Sequence, residues 1–574
     1  MRRSIQKIAA TTVALAMTTA MLTACGSGEK ESSADKTIEN ESSDGSVSEE
    51  TKGDASGPFG KYDPAIDISF VRCVDDDIST NILPVTQGET IESNRWLDLY
   101  RDDLGINITY DWTVKGGYTE DTYKQKLNMT LASGDLPDVI TVDAVALKQL
   151  AEAGEIEDLT AIWEEYAAPF TKEIYNGEGT SVLDSAKYDG NLMAIPNMDS
   201  SLESAHYVWI RKDWLDKLEL EVPKTMDDLL KISEAFTKQD PDENGQDDTF
   251  GLVLTKDLYS GWGGVEGFFA GYHAYPNFWT EDEDGKLIYG SVQPEVKDAL
   301  AALAKMYKNG EIDKEFGIKE GGIVAETVAA GKVGINFGEQ WNPMYPLISN
   351  FNNDESADWQ AYPIVSVDDE KSMVPLKFRT QLYYAVKKGY EHPEAIVKLV
   401  NEHLEKNWGE TNDFGHYFMP AEQNNVGVWK FSPVTPSSAT KNLDVFLAID
   451  EARKNGTEDQ LEGEAKVVYS NVKEYADGDK AQWGWEKIYG EDGAFRVMEE
   501  YKNNDQLMFE SFVGAPTDTM VDRRATLEKM EKEVFIKIIM GEADIDAFDK
   551  FVSDWYDLGG EDITTEVNEW KDSL

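Results

Sequence analysis

Oxygen-bearing side chains recur at alternate positions in Asp240-Pro241-Asp242-Glu243-Asn244-Gly245-Gln246-Asp247-Asp248, with glycine in the sixth place. Such a loop can wrap one hard cation, calcium above all, because carboxylate and carbonyl oxygens suit it and glycine allows the sharp turn. Asp240, Asp242, Asn244 and Asp248 would give side-chain oxygens and Gln246 its carbonyl. Gly251 occupies the twelfth position, where an EF-hand carries a bidentate glutamate, so this is not an EF-hand proper; an acidic surface turn is the competing reading. Catalytic chemistry is harder to find. His206, His273, His392, His403 and His416 show no metal spacing, and there is no G-x-S-x-G elbow and no P-loop. The dinucleotide pattern fails at Gly261-Trp262-Gly263, because Glu266 stands where its third glycine belongs. Cys73 has no thiol partner motif and reads as a small buried hydrophobe.

The elements that would position these residues alternate between strand and helix. Ile66 to Val71 alternates as a strand, Ile91 to Leu104 reads as a helix stopped by Gly105, and Ile106 to Trp112 is a second strand. Tyr123, Leu127 and Leu131 mark a helix closed by Gly134; Pro137 to Val142 is a strand, followed by a short helix ending at Gly154. Helices are expected again over Asp213 to Leu218, through Met226 and Phe236, from Pro294 to Gly310, from His392, and from about Thr526. Tyr207 to Ile210 reads as a buried strand with Trp209 in the core, and Phe250 to Leu254, Val333 to Phe337 and Gln381 to Val386 as further strands. This alternation predicts an α/β layered architecture.

Arg2, Arg3 and Lys7 precede an apolar stretch, Ile8 to Leu22, that is too short and too rich in Thr and Ala to be a spanning helix. It ends in Leu22-Thr23-Ala24-Cys25-Gly26, which resembles the lipobox of bacterial lipoproteins. That resemblance implies a signal peptide over 1–24, lipidation (palmitate) of Cys25, and attachment to the membrane only through that anchor. Residues 25–60 carry almost nothing apolar and read as a flexible acidic tether.

Four further segments resemble the extracellular solute-binding proteins of carbohydrate ABC importers, in their Gram-positive lipoprotein subgroup. They are Ser133-Gly134-Asp135-Leu136-Pro137-Asp138-Val139, Tyr188 to Pro196, Ile210 to Leu218, and Ala330-Gly331-Lys332-Val333-Gly334. The resemblance implies an α/β bilobal, periplasmic-binding-protein-like fold whose two lobes close about a hinge on a captured ligand. Lobe 1 is expected over 61–198 plus 375–430 and lobe 2 over 199–374. The C-terminal helices, 431–574, are expected to be shared between lobes, with crossings near Pro196 to Ser204 and Val374 to Thr380. It further implies an oligosaccharide ligand, permease subunits as partners, a monomer on the extracellular face of the cell membrane, and a structural calcium at the 240–248 loop, as in some members.

Oligosaccharides present flat C–H faces and hydroxyl rims, so their sites need aromatic plates and planar hydrogen-bonding groups. Trp262 lies in a glycine-rich loop, Tyr272 and Trp279 in one irregular segment, Gln340 and Trp341 directly after a strand, Arg379 at a crossing, and Trp483 and Trp485 in another glycine-rich loop. These eight form the expected ligand set, with Trp262, Trp341 and Arg379 foremost. The competing reading is that most aromatics pack loops onto the body. A net charge of −55 opposes nucleic acid and makes uronic-acid chains a poorer expectation than neutral sugars. The 109 acidic residues leave a glycosidase carboxylate pair open as an alternative to a non-enzymatic binder, and a receptor feeding a membrane sensor is a third reading.

Overall fold

The computed structural model describes residues 55–179 and 181–574; Cys25 and the signal segment lie outside the described residues. Buried apolar side chains gather into two separate cores. One takes Tyr62 to Met198 and Tyr383 to Ala439; the other takes Leu202 to Leu376 and Leu443 to Val567. Core membership therefore changes at three places: between Met198 and Leu202, between Leu376 and Tyr383, and between Ala439 and Leu443. The fold is bilobal and α/β.

In the first lobe, strand Ile66–Val74 pairs in parallel with Ile106–Lys115, with a bulge between Phe70 and Val71. Tyr383–Val386 runs antiparallel between Val139–Val142 and Ile195–Pro196. Ser69 and Asp138 tie the two sheets together: each backbone N–H donates to the other's side chain, at 2.9 and 3.0 Å. The helix expected from Ile91 starts at Arg95, because the Asn94 side chain accepts the Trp96 and Leu97 N–H groups and caps it there. Gly105, Gly134 and Gly154 all take left-handed φ at helix ends, where glycine is least strained.

The second lobe is built on a four-stranded sheet in the order Trp359–Tyr362, Tyr207–Arg211, Val333–Gly338, Phe250–Leu252. Trp209 is fully buried in it, as its sequence pattern predicts. Helices Met226–Lys238, Glu295–Asn309 and Asp518–Ile539 belong to this lobe; the last starts earlier than expected because the Thr517 side chain accepts the Met520 N–H.

Two expectations change. Residues 55–60, assigned to the tether, are packed: Lys398 donates to the Ala55 and Gly60 carbonyls and Asn401 to that of Pro58. The C-terminal helices, expected to be shared, contribute their buried apolar residues from Leu443 onward to the second core. Among the described residues no helix is long and apolar enough to cross a membrane.

Candidate ligand cleft

A cavity of about 660 Å³ opens between the lobes beside the middle crossing. Its first-lobe wall is Tyr118, Thr119, Lys124 and Asp143 to Val145, which follow the strands Ile106–Lys115 and Val139–Val142. The floor is the crossing itself, Lys377, Phe378 and Thr380 to Tyr383. The second-lobe wall brings Trp279, Tyr289, Glu510, Phe512, Arg524 and Trp555. Residues following strand C-termini thus converge here, where open α/β sheets place ligands.

Charges in the cavity are compensated. Lys377 Nζ donates to Glu266 Oε1 at 2.9 Å and Arg524 Nε to Glu528 Oε1 at 2.6 Å. Burial disfavours the Lys377 ammonium, but Glu266, Glu510 and Glu339 outweigh it and hold its pKa above the usual lysine range. Glu510 accepts the Phe378 N–H at 3.2 Å, and burial pushes its carboxyl up to about 7. Behind this wall Glu531, also pushed to about 7 by burial, accepts hydrogen bonds from Tyr259, from Ser291 at 2.9 Å and from Tyr289 at 3.2 Å.

A polar cluster adjoins the crossings. Arg379 lies 3.7 Å from Asp199 of the first crossing and 3.7 Å from Glu339 of the second lobe. The Trp341 indole N–H donates to Glu339. Glu203, half-buried and with its pKa raised by the desolvation this brings, accepts from Gln340 at 2.8 Å and from Asn442 of the third crossing at 2.9 Å. Arg379, Gln340 and Trp341 are therefore brought together beside the crossings but outside the lining of this cavity, while Trp279 stands in its wall.

The other aromatics are placed differently. Trp262 is only 8% exposed, bridges its backbone to Gly338, and meets Tyr345 edge-on at 5.9 Å. Tyr272 packs on Phe268 at 5.4 Å. Trp483 and Trp485 lie in the helix Trp483–Tyr489, not a glycine-rich loop. Trp483 stacks on Phe351 at 4.9 Å, and Gly484 is small because Met344 fills the space where its side chain would stand. Trp485 stacks on Tyr489 at 5.8 Å. No local sequence pattern marks Lys377, Glu510, Arg524 or Glu203; Asp143 directly follows a strand and Tyr118 comes three residues after one, a position that is a usable signal.

In the 240–248 loop, Gly245 has φ +75° and its N–H and that of Asn244 donate to Asp240. The Asn244 amide donates to Asp242 at 2.7 Å and Asp248 at 3.0 Å, while Lys332 holds Asp248 at 2.7 Å. Asp242 Oδ1 is buried with no partner, and burial followed by the neighbouring Asp240 raises its pKa. An all-oxygen donor set with one orphaned carboxylate oxygen fits a hard cation in its chemistry. Among the described residues, however, no three His, Cys, Asp or Glu side chains converge closely enough to hold one as they stand.

The family model of the bacterial extracellular solute-binding proteins matches residues 97–406. The polygalacturonan/rhamnogalacturonan-binding protein YtcQ of Bacillus subtilis (strain 168) is 26% identical over 472 residues, 78% of this chain and 82% of YtcQ. In structure, an HMO-binding ABC-transporter-associated solute-binding protein from Bifidobacterium longum infantis shares the fold with a TM-score of 0.57, at 16% identity, over 89% of this chain and 99% of that one. An EF-hand mutant of the Streptococcus pneumoniae ABC-transporter substrate-binding protein FusA, in complex with fructo-nystose, gives 0.50 at 18% identity over 88% and 99%.

Proposed function

Because the chain belongs to the bacterial extracellular solute-binding proteins, which bind rather than transform their ligands, we propose that it captures an oligosaccharide in the cleft between its lobes and delivers it to an ABC importer. Two cores that share one cavity, with the middle of three crossings as its floor, support this reading. Of the proteins similar to this chain, YtcQ is named for binding polygalacturonan and rhamnogalacturonan, and FusA as the substrate-binding protein of a fructooligosaccharide ABC transporter. Closure about the crossings would desolvate the sugar between Tyr118 and Asp143 on one side and Trp279 and Phe512 on the other. Trp341, Gln340 and Arg379 would extend the site along the base.

The lobes proposed are 61–198 with about 380–440, and 201–376 with 441–574. Cys25 would carry the lipid, tethering a monomer on the outer face of the membrane by a linker that ends before Ala55. At the 240–248 loop Asp240, Asp242, Asn244 and Asp248 side chains and the Gln246 carbonyl would hold calcium, which when bound supplies charge neutralisation for the carboxylates and no step in ligand capture.

The test is a glycan panel against the purified chain. Thermal stabilisation by an oligosaccharide, with no reducing ends released and a smaller radius of gyration in solution scattering, is the expected result. Release of product, or stabilisation by peptides alone, overturns the reading.

A further inference from the structure

We propose that Glu510 makes this cleft selective for uncharged oligosaccharides over uronate-bearing ones, an inference that rests on the sugar-binding reading above. Glu510 sits on the cavity wall, anchored by the Phe378 N–H at 3.2 Å, within electrostatic reach of both Lys377 and Arg524. Each of those cations already has its own carboxylate: Glu266 for Lys377 and Glu528 for Arg524. Glu510 is thus a third acidic group beside two cations that are already paired, and above about pH 7, where its carboxyl is ionised, it adds a third negative charge. It cancels the attraction they would otherwise offer an anion.

The opposite wall adds Asp143, whose carboxylate caps the helix Ala144–Ala153 through the Ala146 N–H at 2.9 Å. Lys124 lines the rim but is exposed, so solvent screens it. A uronate carboxylate is best held by an arginine fork or an unpaired ammonium in a water-poor site. Here it would meet paired cations and a carboxyl group. Ring hydroxyls, in contrast, can donate to Glu510 and accept from Lys377 and Arg524 without adding charge to the cavity.

The experiment measures affinities of the full chain for nystose, maltotetraose and galactotetraose, and for tetragalacturonate, by calorimetry at pH 8 and low salt. The wild type is expected to prefer its best neutral tetrasaccharide by about tenfold or more. Glu510→Gln should shift the acidic-to-neutral affinity ratio toward the acidic ligand by about tenfold, the effect of one charge at short range in a partly desolvated site. If that variant does not fold, Glu528→Gln, which releases Arg524 at the rim, should move the ratio the same way. Tetragalacturonate binding as tightly as the neutral sugars, or a ratio that neither variant changes, overturns the proposal and leaves sugar capture standing. Failure of all four ligands to bind takes down the oligosaccharide reading and the selectivity with it.

Discussion

Lys148 Nζ donates to Asp518 Oδ1 at 2.8 Å, joining the first-lobe helix Ala144–Ala153 to the first residue of the second-lobe helix Asp518–Ile539. Ala144, Val145 and Met520 beside them line the cavity, so the pair spans the cleft. Asp518 is 89% exposed, and its pKa is lowered chiefly by Lys148. An exposed pair of this kind is weak and screened by salt. Lys148→Ala should loosen ligand by at most about threefold at low salt and not at all near 0.5 M NaCl, measured by calorimetry at two ionic strengths. A loss that persists in high salt would mean that Lys148 touches the ligand instead.

Trp279 and Trp483 should separate binding from folding. Trp279→Ala removes a plate from the cavity wall and should cost roughly tenfold or more in ligand affinity. Trp483→Ala empties a core position against Phe351 and should cost about 3–5 kcal/mol of stability by denaturant titration. The surviving folded protein should keep its affinity.

For Arg379→Ala, ligand affinity should fall by about ten- to a hundredfold while the melting temperature moves by less than about 2 °C. The guanidinium is 37% exposed and its two carboxylates stand at 3.7 Å, beyond hydrogen-bond range, so little folding energy depends on it. A large melting shift with unchanged affinity would assign Arg379 to the scaffold alone.

The features legible in the chain are those whose determinant is local. Gly105, Gly134, Gly154 and Gly310 end helices because each takes left-handed φ, a need visible in one residue. Trp483-Gly484-Trp485 departs from its local pattern: glycine there looks like loop punctuation, yet it makes room for Met344 in a helix packed from elsewhere. Lys377 and Glu510 meet only because Val374–Leu376 pairs in parallel with the remote strand Leu507–Phe509. No local pattern announces that pairing, so half of the cavity was invisible in the sequence.

Glu531 imposes a pH signature on stability. Its carboxyl is raised to about 7 in the fold by burial, so the folded state favours the neutral form. The stabilising contribution is complete below the ordinary glutamate range near pH 4.3 and is lost as pH rises through about 7, a change of roughly 3 kcal/mol. Glu531→Gln should flatten this dependence: its stability relative to wild type should increase between pH 5 and pH 8 in denaturant titrations. An identical slope in both proteins would show that the side chain is solvated.

Calcium should raise the melting temperature of the EDTA-treated chain, and Asp242→Asn should reduce that shift by half or more. Asp242 carries the buried oxygen that lacks a partner. An unchanged melting curve on adding millimolar calcium would return the 240–248 loop to an acidic turn.

Three passages between the cores is an odd number, so the described chain starts in one half and finishes in the other: Tyr62 is buried in the first, Val567 in the second. A load applied at Ala55 is therefore borne by the first half, whose core begins at Tyr62. Fluorophores near Lys61 and Leu574 ride on different halves, and energy transfer between them would report in real time any change in the distance separating the two.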